Sequence, residues 1–173
     1  MSRWIDELLR THAKTAKSVA DLGFERLATC YPPSLLSAAR IAIVAEIPAP
    51  PVMEFDLPEF LPMTTMPFSG ITFRDMFFTV AADTTEGLCC HELVHVVQWG
   101  TLGVEDFLIT YGAGILQRGY AESPLEAIAF ATQERFEAGL ALPGLVDAVA
   151  AHAIQQRSAV AALYGQYGVR MRG

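Results

Sequence analysis

Residues 91–95 read His-Glu-Leu-Val-His, and this stretch decides the expected fold and site. It lies within residues 85–99, where apolar side chains and an acidic first turn predict a helix. Side chains four residues apart share one face of a helix, so the imidazoles of His91 and His95 point the same way. Two neutral imidazoles at this spacing can bind one Zn²⁺. Glu92 lies about a quarter-turn away, where a carboxylate can serve as general base toward water at the metal.

The alternative interpretation of this motif is a pair of core histidines on an apolar helix. The chain has four histidines and twelve glutamates, and a random order would produce the motif with a probability of about 0.6 %. Burying two histidines and a glutamate without partners would also cost several kcal/mol, a cost that a bound metal removes. The sequence therefore favours a metal site.

A catalytic zinc site needs a third protein ligand and an open fourth position. Where some zinc motifs have a third histidine, six residues after His95, this chain has Thr101, so we expect a carboxylate. Glu126 is favoured over Glu122, because small residues follow it and would let its helix lie close to the histidines. The stretch 123–126 also fits a capping box, a structural role for the same carboxylate. Other downstream candidates are Glu105, Asp106, Glu134, Glu137 and His152.

The pattern HEL-x-H-x-x-Q followed by GY-x-x-x-P-x-E-x-x-A resembles the gluzincin class of zinc metallopeptidases. More closely, it is similar to small bacterial domains of unknown function that carry both halves of the pattern. The resemblance covers roughly residues 70–138. It implies zinc bound by His91, His95 and Glu126, with Glu92 as the general base.

Three further expectations accompany this resemblance. In many gluzincins an acidic residue four positions after the third ligand steadies a ligating histidine, but this chain has Phe130 there, so that support must come from elsewhere. The resemblance also implies that residues 71–80 form an edge strand that binds extended peptide, the alternative being an ordinary core strand. Hydrolysis needs a donor to the developing oxyanion. Tyr111 and Tyr120 are candidates, and Tyr120 is preferred because it precedes the ligand helix; the alternative for both is a half-buried structural aromatic.

Composition limits the kind of protein. The 173 residues are 52 % apolar and 18 % charged, which predicts one folded domain over 1–173. Within it we expect a helical part at about 1–40 and a metal-site core at about 70–138. A net charge of −7, with only two lysines, argues against nucleic-acid binding.

Other features bear on the compartment and on partners. No window of about 20 residues is apolar enough to predict a membrane span. Three cysteines, of which Cys89 and Cys90 are adjacent, do not form a disulfide framework, so a reducing cytoplasm is the expected compartment. The high apolar content makes a homo-oligomer an open possibility.

Periodicity elsewhere predicts an α+β fold. Further helices are predicted at about 3–30, 34–40, 104–117, 124–138 and 145–164. Strands are predicted at 41–47 and 70–80, the second being one strand or a hairpin about Arg74-Asp75. Residues 48–70 contain six prolines and are expected to be an extended segment on the body of the domain. Gly100 and Gly103 should end the motif helix. The predicted architecture is zincin-like, a small antiparallel or mixed sheet packed on an active-site helix and a glutamate helix.

Two functions fit these observations. The first is a zinc-dependent metallopeptidase-like hydrolase, in which Glu92 activates a zinc-bound water that attacks a peptide carbonyl. Its partner would be a peptide or protein substrate. The second is a metal-binding or protein-interaction module that keeps the scaffold with little turnover, an alternative suggested by Phe130 and by the small size of the chain.

Overall fold

The computed structural model describes residues 1–166, in which helices form the majority and four short strands form one mixed sheet. The helices are α1 (Ser2–His12), α2 (Pro33–Ala38), α3 (Leu61–Thr64), α4 (Glu86–Arg118), α5 (Pro124–Glu137) and α6 (Leu145–Gln166). The strands are β1 (Lys17–Ser18), β2 (Arg40–Ile43), β3 (Gly70–Phe73) and β4 (Met76–Thr79). The predicted mixture of helices with a small sheet is therefore confirmed.

The sheet has the strand order β1-β2-β4-β3, so β3 is an edge strand. Strand β2 pairs antiparallel with β1 and parallel with β4, and β3 pairs antiparallel with β4. Strands β3 and β4 are joined by Arg74-Asp75, and Arg74 has a φ of 58°. Of the two predictions for residues 70–80, the hairpin is the one that forms. It places the sheet edge formed by β3 beside α4, and Trp99 of α4 donates a hydrogen bond to the Thr72 carbonyl of this strand at 3.1 Å.

Helix α4 carries the HELVH motif and is the central helix of the fold. The Thr85 hydroxyl accepts a hydrogen bond from the Leu88 amide at 3.1 Å and so caps its start. Every residue from Gly87 to Trp99 is buried, because this part of the helix lies between the sheet and helices α5 and α6. Gly103, at φ 72° and ψ 177°, interrupts the helical backbone, whereas Gly100 stays helical. The predicted division into two helical parts thus occurs at Gly103.

The prediction of one helix over residues 3–30 is wrong, because α1 ends at His12. The chain then forms β1, which pairs with β2, and the Val19 amide donates to the carbonyl of Ala39 at 3.0 Å. Gly23, at φ 71°, adopts the left-handed conformation that glycine accepts without strain. Pairing with a distant strand therefore overrides the helical spacing of the apolar residues.

Two other boundaries differ from the prediction. The strand expected over 41–47 covers only Arg40–Ile43. The proline-rich segment 48–70 is not extended but forms three short helical turns before β3, at Val52–Phe55, Pro58–Phe60 and Leu61–Thr64. Proline stands at the first or second position of the last two turns, where its missing N–H leaves no helical hydrogen bond unmade.

Within residues 1–166, the structure shows no helix that is long and apolar enough to cross a membrane.

Candidate metal centre

The structure brings His91, His95 and Glu126 together in the interior. The two histidines lie on α4, and Glu126 lies in the first turn of α5, which packs against α4. All three are buried, with 4 %, 5 % and 2 % of their surface exposed. One ligand atom from each lies within 4.8 Å of the others, so the three side chains could hold a metal ion.

The separations of these atoms fit a small tetrahedral cation. The Nε2 atoms of His91 and His95 are 3.1 Å apart. The Glu126 carboxylate oxygens lie 3.5 Å from Nε2 of His91 and 3.4 Å from Nε2 of His95. Tetrahedral zinc with ligands at about 2.0–2.1 Å separates neighbouring ligand atoms by about 3.4 Å. The distance to His91 is from Oε2 and the distance to His95 is from Oε1, so each imidazole nitrogen has a Glu126 oxygen at about the spacing that such an ion requires.

The hydrogen bonds of Gln98 determine which ring nitrogen of His95 carries the proton and which has a free lone pair toward the cluster. The Gln98 amide donates to the Leu125 carbonyl at 2.9 Å, so its oxygen faces His95 Nδ1 at 2.8 Å. That oxygen can only accept, so Nδ1 carries the proton. In neutral His95 the lone pair is then on Nε2, the atom that points to Glu126. Gln98 holds the ring ready to bind a metal.

Glu126 has one oxygen with a hydrogen-bond partner and one without. The Tyr111 hydroxyl donates to Oε1 at 2.6 Å, which fixes the plane of the carboxylate. Among the described residues, the buried Oε2 has no hydrogen-bond partner. This unpartnered oxygen lies 3.5 Å from Nε2 of His91, as expected if a cation completes the cluster.

The electrostatics of the protein alone favour positive charge at this point. Burial raises the pKa of the Glu126 carboxyl, but the two histidines outweigh it and hold that pKa well below its usual range. Burial lowers the pKa of His95, since it disfavours the charged imidazolium. This effect is outweighed by the carboxylates of Glu126 and Glu92 and by the bond to Gln98, which together raise the pKa to about 9. The cluster therefore attracts a cation, either a proton or a metal ion.

Glu92 lies beside His91, His95 and Glu126 without belonging to their cluster. It is 2 % exposed, and its Oε2 accepts a hydrogen bond from the Thr72 hydroxyl of β3 at 2.5 Å. A methyl group at Gly70 would collide with the Glu92 carboxylate, so glycine leaves the space that the carboxylate occupies. Burial raises the pKa of Glu92. Strand β3 thus holds a carboxylate of increased basicity next to the cluster.

Tyr120 and Phe130 form an aromatic wall near the histidines. The ring of Phe130 is 4.8 Å from that of His91, and the ring of Tyr120 packs against Phe130 at 6.2 Å. Burial raises the pKa of Tyr120, so its hydroxyl remains a proton donor.

Among the described residues, the buried Nδ1 of His91 has no hydrogen-bond partner. His91 is therefore positioned by packing where His95 is positioned by Gln98.

The other predicted ligands do not join the cluster. Glu122, the alternative third ligand, is exposed. Asp106 accepts a hydrogen bond from Arg157 at 2.8 Å, and His152 contacts Gln156. The adjacent cysteines Cys89 and Cys90, which are not among the predicted ligands, are fully buried, and burial raises the pKa of each thiol to about 12. The remaining candidates, Glu105, Glu134 and Glu137, are exposed.

A cavity of about 390 Å³ adjoins the centre. His91, Glu92, His95 and Glu126 line one side of it, together with Tyr111 and Tyr120. Its other walls are formed by β3, by the second half of α4 and by the proline-rich segment. The four polar groups of the centre therefore face a space large enough for part of a small ligand.

Comparison with family models, curated proteins and solved structures finds no match to this chain. The resemblance to the gluzincins accordingly stays a prediction.

Sequence reasoning missed three residues that support the centre, namely Gln98, Thr72 and Tyr111. Gln98 is the glutamine of the pattern HEL-x-H-x-x-Q, one turn after His95, but the pattern assigns it no role. Tyr111 was a candidate oxyanion donor or a half-buried structural aromatic, and its hydrogen bond to Glu126 was not predicted. Thr72 gives no signal, because its contact with Glu92 depends on how the hairpin packs on α4.

Replacing Gln98 by leucine should weaken metal binding about 10–100-fold, because the His95 ring loses the acceptor that fixes it. Competition with a chelating dye measures the affinity. Gln117→Leu is the matched control, since Gln117 is an exposed glutamine on the same helix. Equal affinities for the two variants would contradict the role assigned to Gln98.

Proposed function

We propose that the protein is a zinc-dependent hydrolase that cleaves peptide bonds. The observation that carries this proposal is the convergence of His91, His95 and Glu126 beside an independently held Glu92. Two histidines and a carboxylate form a donor set that catalytic zinc sites use, with the fourth position left for water or substrate. The edge strand β3 beside the motif helix supports a zincin-like arrangement of this site.

Zinc bound here would polarise a substrate carbonyl and lower the pKa of water toward about 7. Glu92 accepts the proton of the attacking water, and its raised pKa brings its basicity closer to neutral pH. Glu92 then passes this proton to the leaving amine nitrogen. Tyr120, which lines the same cavity, donates to the carbonyl oxygen as negative charge develops on it.

The second candidate is a metal-binding or interaction module with little turnover. One observation favours it, because Phe130 stands where an acidic residue would support His91, and Nδ1 of His91 lacks a partner among the described residues. A poorly held ligand lowers the metal affinity and the precision of the site. This candidate predicts stoichiometric zinc without hydrolysis.

A peptide library distinguishes the two functions. Zinc-loaded protein is incubated with blocked peptides of mixed sequence, and mass spectrometry identifies the products. Hydrolysis that stops with chelator and returns with zinc supports the hydrolase. Bound zinc without any cleavage supports the module instead.

Thr72 offers a test of how Glu92 is held. Thr72→Val removes the hydroxyl at nearly constant volume, and loss of a hydrogen bond to a charged group should lower kcat/KM by about 10–100-fold. Because this bond lowers the pKa of Glu92, its loss should raise that pKa and move the acidic limb of the pH–rate profile to higher pH. Thr72→Ser keeps the hydroxyl and should retain both rate and profile. Unchanged profiles for both variants would contradict the role of Thr72.

A further inference from the structure

The cavity beside the metal centre has apolar walls. Strand β3 contributes Ile71 and Phe73, and the proline-rich segment contributes Val52, Leu57, Phe60 and Met63. The segment packs closely against α4 at Gly112, which has no side chain. A methyl group at that position would lie 3.2 Å from the Phe60 ring. Short helical turns of the proline-rich segment therefore cover the space above the centre.

Among the described residues, the side chains that line the cavity away from the centre carry no formal charge. Within residues 1–166, the ionisable side chains that line the cavity are those of the centre and three tyrosines. The carboxylates of Glu92 and Glu126 are confined to the centre, where each accepts a hydrogen bond, from Thr72 and Tyr111 respectively. Against the apolar walls away from them, a lysine, arginine or aspartate side chain of a bound molecule would lose its water without gaining an opposite charge.

We infer that the cavity takes a large uncharged apolar side chain of the substrate, aromatic or branched aliphatic, next to the scissile amide, and excludes charged side chains there. The volume of about 390 Å³ is near the lower end for ligand sites, about 300–1,000 Å³, which suits one large side chain and the adjoining backbone. This inference rests on the proposed function for the choice of a peptide as ligand. Beyond that function, it specifies the chemical class of substrate side chain that the cavity selects.

Two methionines of the same segment provide a matched pair of variants. Met63 is half-buried and lines the cavity, whereas Met66 is 42 % exposed and is not among the lining residues. A lysine at position 63 can keep its ammonium group near solvent while it places positive charge at the cavity wall. The same substitution at position 66 changes the net charge of the protein by the same amount but adds no charge to the cavity wall.

The test measures binding directly, in the Glu92→Gln background to prevent turnover. Two blocked, fluorescein-labelled hexapeptides differ only in a central Phe-Leu or Glu-Lys pair, which have the same net charge. Fluorescence anisotropy is recorded with zinc-loaded and with chelator-treated protein. The Phe-Leu peptide should bind at least about tenfold more tightly than the Glu-Lys peptide in both forms. Met63→Lys should weaken its binding about tenfold, and Met66→Lys should leave it unchanged.

The outcomes separate this inference from the proposed function. Equal binding of the two peptides, binding of neither, or equal effects of the two lysine variants would overturn the apolar site, whatever the metal content or the hydrolysis of other peptides. Selective binding of the Phe-Leu peptide without cleavage by zinc-loaded wild-type protein would support the apolar site and contradict the hydrolase.

Discussion

Glu92→Gln should reduce hydrolysis by about 10²–10⁴-fold while zinc stays bound, because general-base catalysis contributes a factor of this size. Glutamine has nearly the same shape and can still accept a hydrogen bond from Thr72, but it cannot take a proton from water. Glu92 lies outside the group of three ligands, so the metal content should not change. Initial rates and elemental analysis on the same preparation measure the two quantities together.

Glu105→Gln is the control for this experiment, because Glu105 is an exposed glutamate on the same helix. Its activity should equal that of the wild type. A Glu92→Gln variant that retains full activity with zinc bound would show that another group activates water. A variant that loses zinc as well would show that Glu92 is a ligand, and the mechanism would be wrong.

Glu126→Ala should remove the stabilisation that zinc gives to the folded protein. At a free zinc concentration about 1,000 times Kd, binding stabilises the folded state by about 4 kcal/mol. For a domain of this size that corresponds to a rise in Tm of roughly 10 °C. The variant lacks the only carboxylate of the cluster and should show little or no rise. Thermal melts of both proteins, with chelator and with added zinc, measure the difference.

Glu122→Ala is the matched control, since Glu122 was the alternative ligand and is exposed. It should keep the full rise in Tm. Because Glu126→Ala also loses the bond from Tyr111, its Tm in chelator should fall as well, so the zinc-dependent difference is the relevant quantity. A rise that survives in Glu126→Ala and disappears in Glu122→Ala would reverse the assignment.

The sequence predicts best those features that depend on local spacing. Two histidines four residues apart converge on any regular helix, as they do on α4. The hairpin about Arg74-Asp75 was one of two options, and the antiparallel pairing of β3 with β4 shows that it forms. The helix over residues 3–30 failed because β1 pairs with a strand more than twenty residues away, which no local pattern reveals.

In the candidate site, too, features set by local spacing were predicted and those set by long-range contacts were not. Glu126 was favoured from its position in a helix with small neighbours, and it is the carboxylate that reaches the histidines. Gln98 and Thr72 could not be assigned, because the Leu125 carbonyl that orients the Gln98 amide and the Glu92 carboxylate that Thr72 contacts lie 27 and 20 residues away along the chain. The cavity walls were also beyond prediction, since the proline-rich segment forms helical turns where an extended chain was expected.

The most direct test of the metal centre is elemental analysis of the purified protein beside a His95→Ala variant. We expect about one zinc per chain in the wild type and none in the variant, because His95 supplies one of the three ligands. Absence of metal from the wild type, even after zinc is supplied, would contradict the centre. His91, His95 and Glu126 would then be a metal-free buried cluster that holds a proton.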